Sequence, residues 1–445
     1  MQASESKEFY LSEFRQYRNN GAAENPPWLR QIRESASASF QELGFPTSRD
    51  EDWKYTSVEP VTSVAFQRGN GAAKEVKADD IVALAFADPA CQRLIFINGC
   101  YFPQLSSVGG LPAGIRIESI AAMLQRNDDS LEPYLGRYAR SREQAFVALN
   151  TALMEDGTFV WVPKNCNLEE PIHLIYISAS TDKPVASHPR NLFVVENGGA
   201  ARIVETYVGL GTGSYFVNPV TELLGGEDTV IDHYRIQREG VRGSHIGTLE
   251  AQLSRNCNLT AHAITLGGAL VRNDVHAVLK GEGSECHLNG LYVLDGKQHV
   301  DNSTEIEHIK PKATSLELYK GILSGSARGV FNGKILVHKD AQRTNARQTN
   351  KNLLLSADAM VNTKPQLEIY ADDVKCSHGS TIGQLDRDAL FYLRSRGLSR
   401  DDAQSLLSYA FANEVVSRVK IDFMRRRLDD YLLNKFGKHQ KSTIP

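Results

Sequence analysis

Between about residue 156 and residue 383, the chain is a succession of short segments in which apolar and polar residues alternate. Such alternation places every second side chain on the same face and is typical of β-strands. Gly, Asn and Asp separate the segments, and no insert between them is long enough for the helix of a βαβ crossover. The stretch therefore predicts an all-β unit built as a sandwich, a barrel or a β-solenoid, and it excludes a doubly wound sheet.

Weak self-similarity within this stretch favours the solenoid. Comparable segments recur with a spacing of about 30 residues, within the range of stacked repeats. They read ARIVETY, DTVIDHYRIQ, NLTAHAITL, SECHLNGLYVL and ARGVFNGKILV. Asparagines between the segments are predicted to lie at the corners of a β-helix, where their amides would satisfy turn backbone. These are Asn273, Asn302, Asn345 and Asn350.

The segments on either side of the β-rich stretch have helical character. Apolar residues recur at helical spacing near the start of the chain, and residues 117–150 return to that spacing after a hairpin predicted at Asn98-Gly99. Asp386 is a candidate helix cap, and the run from Ser399 to Asp402 resembles a capping box with Asp in place of Glu. We therefore predict an N-terminal helical and mixed region (1–155), a β core (156–383) and a C-terminal helical domain (384–445).

Composition and charge narrow the functional classes. A chain of 445 residues is long enough for several structural units, and its net charge of −3 carries no nucleic-acid signature. No apolar run reaches the roughly 20 residues that span a bilayer, and the start has no apolar h-region. The six cysteines lie far apart without a CxxC pair, which argues against a disulfide framework or a structural zinc site. We expect a cytoplasmic protein that binds neither nucleic acid nor membrane.

Two groups of residues are candidates for metal chemistry. Cys376 and His378 lie two residues apart, so on a strand they would share a face and offer sulfur and nitrogen to one ion. A buried cysteine beside a hydrogen-bonded histidine is the structural alternative. Nine of the twelve histidines also fall between 233 and 378, which indicates either a metal-handling surface or imidazoles on half-exposed strand faces. They are His233, His245, His262, His276, His287, His299, His308, His338 and His378.

Enzyme signatures are weak by comparison. The chain has no G-x-S-x-G, no Walker A and no GxGxxG that opens a helix after a strand. The acidic pairs Asp372-Asp373 and Glu305/Glu307 suit acid–base work, but solvated turns and strand faces explain such pairs more often. We therefore predict no catalytic residues.

Three stretches together resemble the SufB/SufD family of the SufBCD iron–sulfur cluster assembly complex. The first runs from Ser48 to Thr56 (SRDEDWKYT), the second from Lys375 to Gly383 (KCSHGSTIG), and the third from Phe391 to Leu398 (FYLRSRGL). The resemblance spans the chain in order. It is nearer to the SufD branch, because Ala359 stands where the SufB branch carries an essential cysteine, and Gly379 stands where SufB tends to carry Glu.

The resemblance implies a mainly β protein with a right-handed parallel β-helix flanked by N- and C-terminal α-helical regions. It also implies a scaffold subunit that pairs with a SufB-like subunit and docks a SufC-like ABC ATPase. His378, with Cys376 as a weaker candidate, would contribute to a nascent iron–sulfur cluster or iron site shared with SufB, and no cofactor would be tightly bound to the isolated chain. The candidate docking residues for SufC are Phe391, Tyr392, Leu393, Arg394 and Arg396.

Two other functional classes remain open on the sequence. A β-helix carbohydrate-active enzyme would carry catalytic acids along a groove, although the sequence shows no regular hexapeptide repeat and no convincing carboxylate cluster. A homodimeric metal-storage or chaperone module fits the histidine count but leaves the C-terminal helical motif unexplained. Self-pairing of the isolated chain through an exposed end of the β-helix is also an expectation.

Overall fold

A computed structural model describes residues 3–20, 25–69, 76, 81, 85–88, 91–180 and 183–437. Helices flank a long β region in the order that the sequence predicts. The helices are α1 (Ala3–Asn20), α2 (Pro27–Leu43), α3 (Glu59–Thr62), α4 (Ile120–Gln125), α5 (Ala145–Leu153), α6 (Arg387–Ser395), α7 (Arg400–Val416) and α8 (Asp422–Gly437). None of the helices described here is long and apolar enough to cross a membrane.

The strands occupy almost all of the central region. In chain order they are β1 (Gln67–Arg68), β2 (Gln92–Ile97), β3 (Cys100–Tyr101), β4 (Arg116–Ser119), β5 (Thr158–Val162), β6 (Ile172–Ala179), β7 (Val185–Ser187), β8 (Arg190–Val195), β9 (Ala200–Leu210), β10 (Tyr215–Val217), β11 (Val220–Gly225), β12 (Val230–Arg238), β13 (Gly243–Leu253), β14 (Asn258–Thr265), β15 (Leu270–Leu279), β16 (Glu285–Leu294), β17 (His299–His308), β18 (Thr314–Leu323), β19 (Arg328–Val337), β20 (Asn345–Leu354), β21 (Met360–Ile369) and β22 (Lys375–Gly383).

These strands form two sheets that the chain visits in turn. A 12-stranded sheet runs in the order β21-β19-β17-β15-β13-β11-β8-β5-β4, with β1, β7 and β10 paired beside this row, and a 10-stranded sheet runs β22-β20-β18-β16-β14-β12-β9-β6-β2-β3. From β5 onwards the paired strands are parallel, and Val230 pairs with Ala200 on one side and Asn258 on the other. One turn thus takes about 30 residues, as the repeats predict. The core is a parallel β-solenoid of about seven turns, which confirms the mainly β fold with helices at both ends.

The predicted corner location is wrong for Asn273, Asn302 and Asn350, which lie within strands, whereas Asn345 begins β20 next to a turn. Asn273 and Asn302 lie in the middle of β15 and β17, where the amide of Asn273 donates to the side-chain oxygen of Asn302 at 3.2 Å. The corners instead contain residues with positive φ, among them Asn165 (φ 58°) and Asn256 (φ 54°). Asparagine tolerates the left-handed conformation, which explains its presence at these corners. Inside the solenoid, stacked asparagine amides instead form hydrogen bonds with one another.

The N-terminal region covers the outer face of the 12-stranded sheet. Aromatic and aliphatic side chains of α1, α2 and α5 pack on Phe216, Ile246 and Leu270 of that sheet. The predicted hairpin is confirmed, since β2 and β3 pair antiparallel across Asn98 and Gly99, both with positive φ. The helical spacing predicted from residue 117 is wrong at its start, because β4 pairs antiparallel with β5 before α4 begins.

The C-terminal helices cover the outer face of the 10-stranded sheet. Apolar residues of α7 and α8, including Val415, Met424 and Leu428, pack on Tyr234 and Leu291 of the strands. Polar bonds reinforce this contact: the Lys320 ammonium donates to Glu414 at 2.7 Å, and the Lys420 ammonium donates to Asp232 at 2.7 Å. Ser399 caps α7 by accepting from the backbone N–H of Asp402 at 3.0 Å, as the capping-box pattern predicts.

Candidate functional site

The candidate metal ligands lie on the last strand of the 10-stranded sheet. β22 pairs only with β20 along this sheet, with Ala346 opposite Cys376 and Gln348 opposite His378. Because side chains alternate along a strand, Cys376 and His378 share the face that the buried Ala346 and Gln348 present to the interior. The structure thus places both residues on the inward face of the final turn, and no further turn within the described part of the chain covers them.

The two candidates differ in their surroundings. The Cys376 side chain is half-buried and packs against the small cluster that contains Ala346 and Val374, and burial raises the pKa of its thiol. His378 is exposed and has no side-chain hydrogen bond among the described residues. The imidazole is therefore available to an incoming ligand, whereas the thiol is held mainly in its protonated, poorly ligating form.

Two buried polar residues lie in the same interior column as His378. Glu317 pairs with Gln348 in register, and Gln348 pairs with His378. The Gln348 amide donates to Glu317 at 2.7 Å, and burial raises the pKa of the Glu317 carboxyl to about 7. Gln348 Oε1 is buried without a hydrogen-bond partner among the described residues, whereas the Glu317 carboxyl also lies beside the Thr304 hydroxyl. Sequence reasoning missed both residues, because neither is near His378 along the chain.

The open end of the solenoid combines apolar and polar groups. Ser380 of β22 donates to Thr363 of β21 at 3.0 Å and so links the two sheets across the final turn. Around this bond large apolar side chains remain exposed, including Tyr370 at 64% and Ile382 at 47%. Both terminal strands also present an unpaired edge of backbone N–H and C=O groups, which is the arrangement that accepts an additional strand.

A complete metal site is not formed by this chain in the part that the structure describes. Within those residues, no group of three or more His, Cys, Asp or Glu side chains is arranged to hold a metal ion. Cys376 and His378 contribute two potential ligands on one face. Iron or a cluster bound there would need further ligands from another source, since four ligands are usual for zinc and for cluster iron.

The candidate docking residues lie on α6, which begins just after β22. Asp386 caps this helix by accepting from the N–H groups of Asp388 and Ala389. None of its residues is buried, and Phe391 and Tyr392 are 74% and 57% exposed. Leu393 is half-buried, while Arg394 and Arg396 are exposed and the Arg396 guanidinium lies 5.2 Å from the Tyr392 ring. The helix therefore presents an apolar and cationic face that contributes little to this chain's own core.

Most histidines between 233 and 378 have structural partners instead of forming a metal-handling surface. His233 bonds Glu205 at 2.7 Å and His245 bonds Glu239 at 2.8 Å, both fully inside the fold. His262 is buried and stacks on Tyr234 at 4.8 Å. The prediction that these imidazoles occupy half-exposed strand faces is likewise wrong for many of them. The buried ones are His233, His245, His262, His276 and His308.

The N-terminal SRDEDWKYT motif is bound to the 12-stranded sheet. The Arg272 guanidinium lies 3.9 Å from the Trp53 ring, donates to the backbone oxygen of Asp52 at 2.8 Å and pairs with Asp301 at 2.6 Å. The Thr56 hydroxyl donates to the same Asp301 carboxylate at 2.5 Å. These charged contacts are desolvated, and although Asp301 Oδ1 makes no hydrogen bond within the described structure, they anchor the N-terminal region to the solenoid.

A ladder of charged residues continues from this anchor along the outer face of the sheet. His276 bonds Glu250 at 2.8 Å and lies 3.5 Å from Glu307, while Arg140 bonds Glu305 at 2.9 Å. The ladder lines a polar groove of about 590 Å³ between the motif and the sheet. Most of its charged side chains pair with one another, although Arg140 Nε and Glu250 Oε2 are buried without a hydrogen-bond partner in the described part of the chain.

His276 makes this anchor sensitive to pH. Burial alone would lower the pKa of His276, and Arg140 adds to that, but hydrogen bonds to Glu250 and Glu307 outweigh both and raise the pKa to about 9. Because the folded pKa is above the unfolded value of roughly 6.5, the ion pairs stabilise the protein fully below pH 6.5 and lose this effect as the pH rises through 9.

We expect the His276→Gln variant to lower the free energy of unfolding at pH 6 by on the order of 2–3 kcal/mol. The difference in the free energy of unfolding between variant and parent should become small at pH 10, where the imidazole of the parent is neutral. Denaturant unfolding at both pH values measures it, with His287→Gln on the other sheet as the control. An equal loss at both pH values would contradict the ionic role.

Comparison with known proteins agrees with these features. A model of the SUF system FeS cluster assembly SufBD core domain matches residues 176–411, and a model of the SufBD protein N-terminal region matches residues 4–174. An iron–sulfur cluster assembly SufBD family protein of Synechocystis is 36% identical over 404 residues, covering 89% of this chain and 88% of the relative.

Two proteins named as SufD are also similar. Iron–sulfur cluster assembly protein SufD of Escherichia coli is 31% identical over 387 residues, which cover 86% of this chain and 88% of that protein. SufD of Bacillus subtilis is 24% identical over 423 residues, covering 91% and 93%. Neither the family descriptions nor these names point to carbohydrate chemistry, so the alternative of a carbohydrate-active enzyme receives no support.

Proposed function

The chain belongs to the SufBD family of iron–sulfur cluster assembly proteins, and on that basis we propose that it is a non-catalytic scaffold subunit of a cytoplasmic assembly complex. In this proposal it pairs with a SufB-like subunit at the open end of the solenoid and docks a SufC-like ATPase through α6. The observation that carries the proposal is the exposed His378 on the inward face of an uncovered final turn.

The open end suits a partner built on the same plan. A second solenoid would continue the two sheets by pairing its own terminal strands with the free edges of β21 and β22, and backbone hydrogen bonds would supply much of the affinity. The exposed Tyr370 and Ile382 would then become buried. A second copy of this chain offers the same edges, so self-pairing is the competing outcome when the partner is absent.

His378 would serve as a ligand to the cargo at this junction. The cargo is iron or a nascent iron–sulfur cluster, held transiently and shared between the two subunits. Cys376 and His378 supply at most two ligands from this chain, so the partner would complete the site with its own side chains. His378 is exposed whereas Cys376 is half-buried, so His378 is the more accessible ligand of the two.

The C-terminal helices α6, α7 and α8 would couple the ATPase to the cargo site at His378. We propose that residues 384–445 form the docking domain, residues 156–383 the solenoid core and residues 1–155 the N-terminal region. α7 and α8 are tied to the 10-stranded sheet by the bonds from Lys320 to Glu414 and from Lys420 to Asp232. Movement of a bound ATPase would therefore be transmitted to the strands that carry the cargo site, driven by the different affinities of its nucleotide states.

Native mass spectrometry of this chain co-expressed with the SufB-like and SufC-like proteins of its own source tests the proposal. The expected result is a complex with one copy of this chain, one SufB-like subunit and two ATPases. Ile382→Lys should abolish pairing with the SufB-like subunit but leave ATPase binding unchanged, because it adds a charge only at the open end. Val241→Lys, at a distant residue that is 83% exposed, is the control. A chain that ignores both partners would overturn the proposal.

A further inference from the structure

The inference concerns the interior column beneath His378 and rests on the proposed function of that histidine. Leu288, Glu317, Gln348 and His378 occupy matching positions on β16, β18, β20 and β22. Leu288 belongs to the main apolar core, so the column changes from apolar to polar within the last three strands. Farther back in the same column the buried His233 is polar as well, so the end where the partner is proposed to bind is distinguished by three consecutive polar side chains.

Glu317 and Gln348 are almost completely inaccessible to solvent, at 3% and 1% exposure. Gln348 Oε1 has no hydrogen-bond partner among the residues that the structure describes, whereas the Glu317 carboxyl lies beside the Thr304 hydroxyl as well as the Gln348 amide. A buried polar group left unpaired destabilises the fold, whereas an apolar pair of similar size would fill the same space without this cost. Packing of the isolated chain therefore does not explain why Glu317 and Gln348 are polar.

The surroundings hold the Gln348 side chain in one orientation. Its Nε2 donates to Glu317 Oε2 at 2.7 Å, and a carboxyl acceptor at that position favours the amide nitrogen over the amide oxygen. On the opposite sheet, a Cβ at Gly333 would lie 2.2 Å from Gln348 Nε2, so only glycine leaves room for the amide there. Because the amide nitrogen of Gln348 is hydrogen-bonded to Glu317, the amide oxygen is the acceptor that remains free, in the turn next to His378.

We propose that Gln348, held by Glu317, is the positioning residue for His378 in the assembled complex. When the His378 side chain is oriented towards the interior at the open end, one ring N–H donates to Gln348 Oε1. The other ring nitrogen is then unprotonated and directed at the shared cargo. Histidines that bind metals usually donate their second ring N–H to such an oxygen, and this bond selects the tautomer and the ring orientation. Glu317 acts one step further away by orienting the amide.

Two double variants that preserve side-chain size test this assignment. Glu317→Leu with Gln348→Met removes both polar groups together and leaves no charge unpaired in the core. Glu317→Gln with Gln348→Glu exchanges the two groups, so the hydrogen bond between them is retained and an acceptor oxygen still lies beneath His378. Both variants are assembled with the SufB-like and SufC-like subunits, and thermal unfolding with native mass spectrometry verifies that the complexes are intact.

The assay is anaerobic cluster formation from ferrous iron and inorganic sulfide, followed by charge-transfer absorbance as the iron concentration is varied. The apolar pair should lower the rate about tenfold and raise the half-saturating iron concentration, in line with the 10- to 100-fold effects of partners that orient metal ligands. The exchanged pair should remain close to the parent complex. A merely structural role would not produce this difference between two folded complexes.

The His378→Ala variant, measured in the same assay, distinguishes the ligand role of His378 from the positioning role of Gln348. If His378→Ala is inactive and the apolar pair is fully active, or if the exchanged pair is as defective as the apolar pair, the positioning role of Gln348 is refuted while the ligand role of His378 stands. If His378→Ala is fully active, the proposed function of this site fails first.

Discussion

Replacing His378 by alanine is expected to reduce cluster formation by the assembled complex at least about tenfold, with the fold and the subunit composition unchanged. The imidazole is exposed and makes no side-chain hydrogen bond among the described residues, so its removal takes no contact from the core. Loss of a direct ligand should exceed the 10- to 100-fold effect that follows from disturbing the groups around a ligand. Iron content and the initial rate of cluster formation are the quantities to measure.

Ser377→Ala is the matched control for this variant. Ser377 precedes His378 on β22, is also exposed, and by strand alternation faces the opposite side of the sheet. It should form clusters at the parent rate. Full activity of His378→Ala would show that the imidazole does not bind the cargo. An equal loss in both variants would show that the strand matters and the imidazole does not.

Replacing Phe391 by aspartate is expected to remove the ATPase from the complex. Phe391 is 74% exposed on a helix without buried residues, so the isolated chain should keep its stability. Aromatic side chains at the centre of an interface often contribute 2 kcal/mol or more, and a carboxylate there adds a desolvation cost. We therefore expect the dissociation constant for the ATPase to rise at least about 100-fold, which corresponds to roughly 2.7 kcal/mol.

Titration calorimetry of the purified chain with the SufC-like ATPase measures this effect directly. Val241→Asp introduces the same charge at an exposed apolar residue between β12 and β13, remote in sequence from the docking helix, and should bind the ATPase normally. Co-purification of the ATPase with Phe391→Asp at full stoichiometry would contradict the assignment of α6 as the docking surface.

Local patterns in the sequence predicted the strands and the helical ends, and a weak repeat favoured a solenoid over a sandwich or a barrel. Alternation with a period of two depends only on neighbouring residues, and it predicts the strands of the solenoid without knowledge of their partners. The hairpin at Asn98 and Gly99 and the cap at Ser399 are equally local, and the structure confirms both. The same logic failed for Asn273 and Asn302, because a polar residue between two apolar runs is as compatible with a buried ladder as with a corner.

The candidate site around His378 was predicted only in part, because local spacing does not reveal burial or contacts with distant residues. The short spacing of Cys376 and His378 shows from sequence that they share a face, but it says nothing about burial. Their different exposure follows from contacts with residues of the preceding turn and from the absence of a further turn above them. Gln348 and Glu317, which lie beneath His378, each come from a different turn of about 30 residues.

The sequence by itself determined the strand period, the repeat length, the helical ends and the family to which the chain belongs. Only the tertiary structure decided which side chains share a column, which histidines pair with carboxylates, and which end of the solenoid remains open. The physical reason is register: backbone hydrogen bonds between successive turns align residues that are distant in the chain, and a slip of one residue would turn every inward side chain outward. No local pattern specifies that alignment. It is decided when the whole stack buries its apolar faces together.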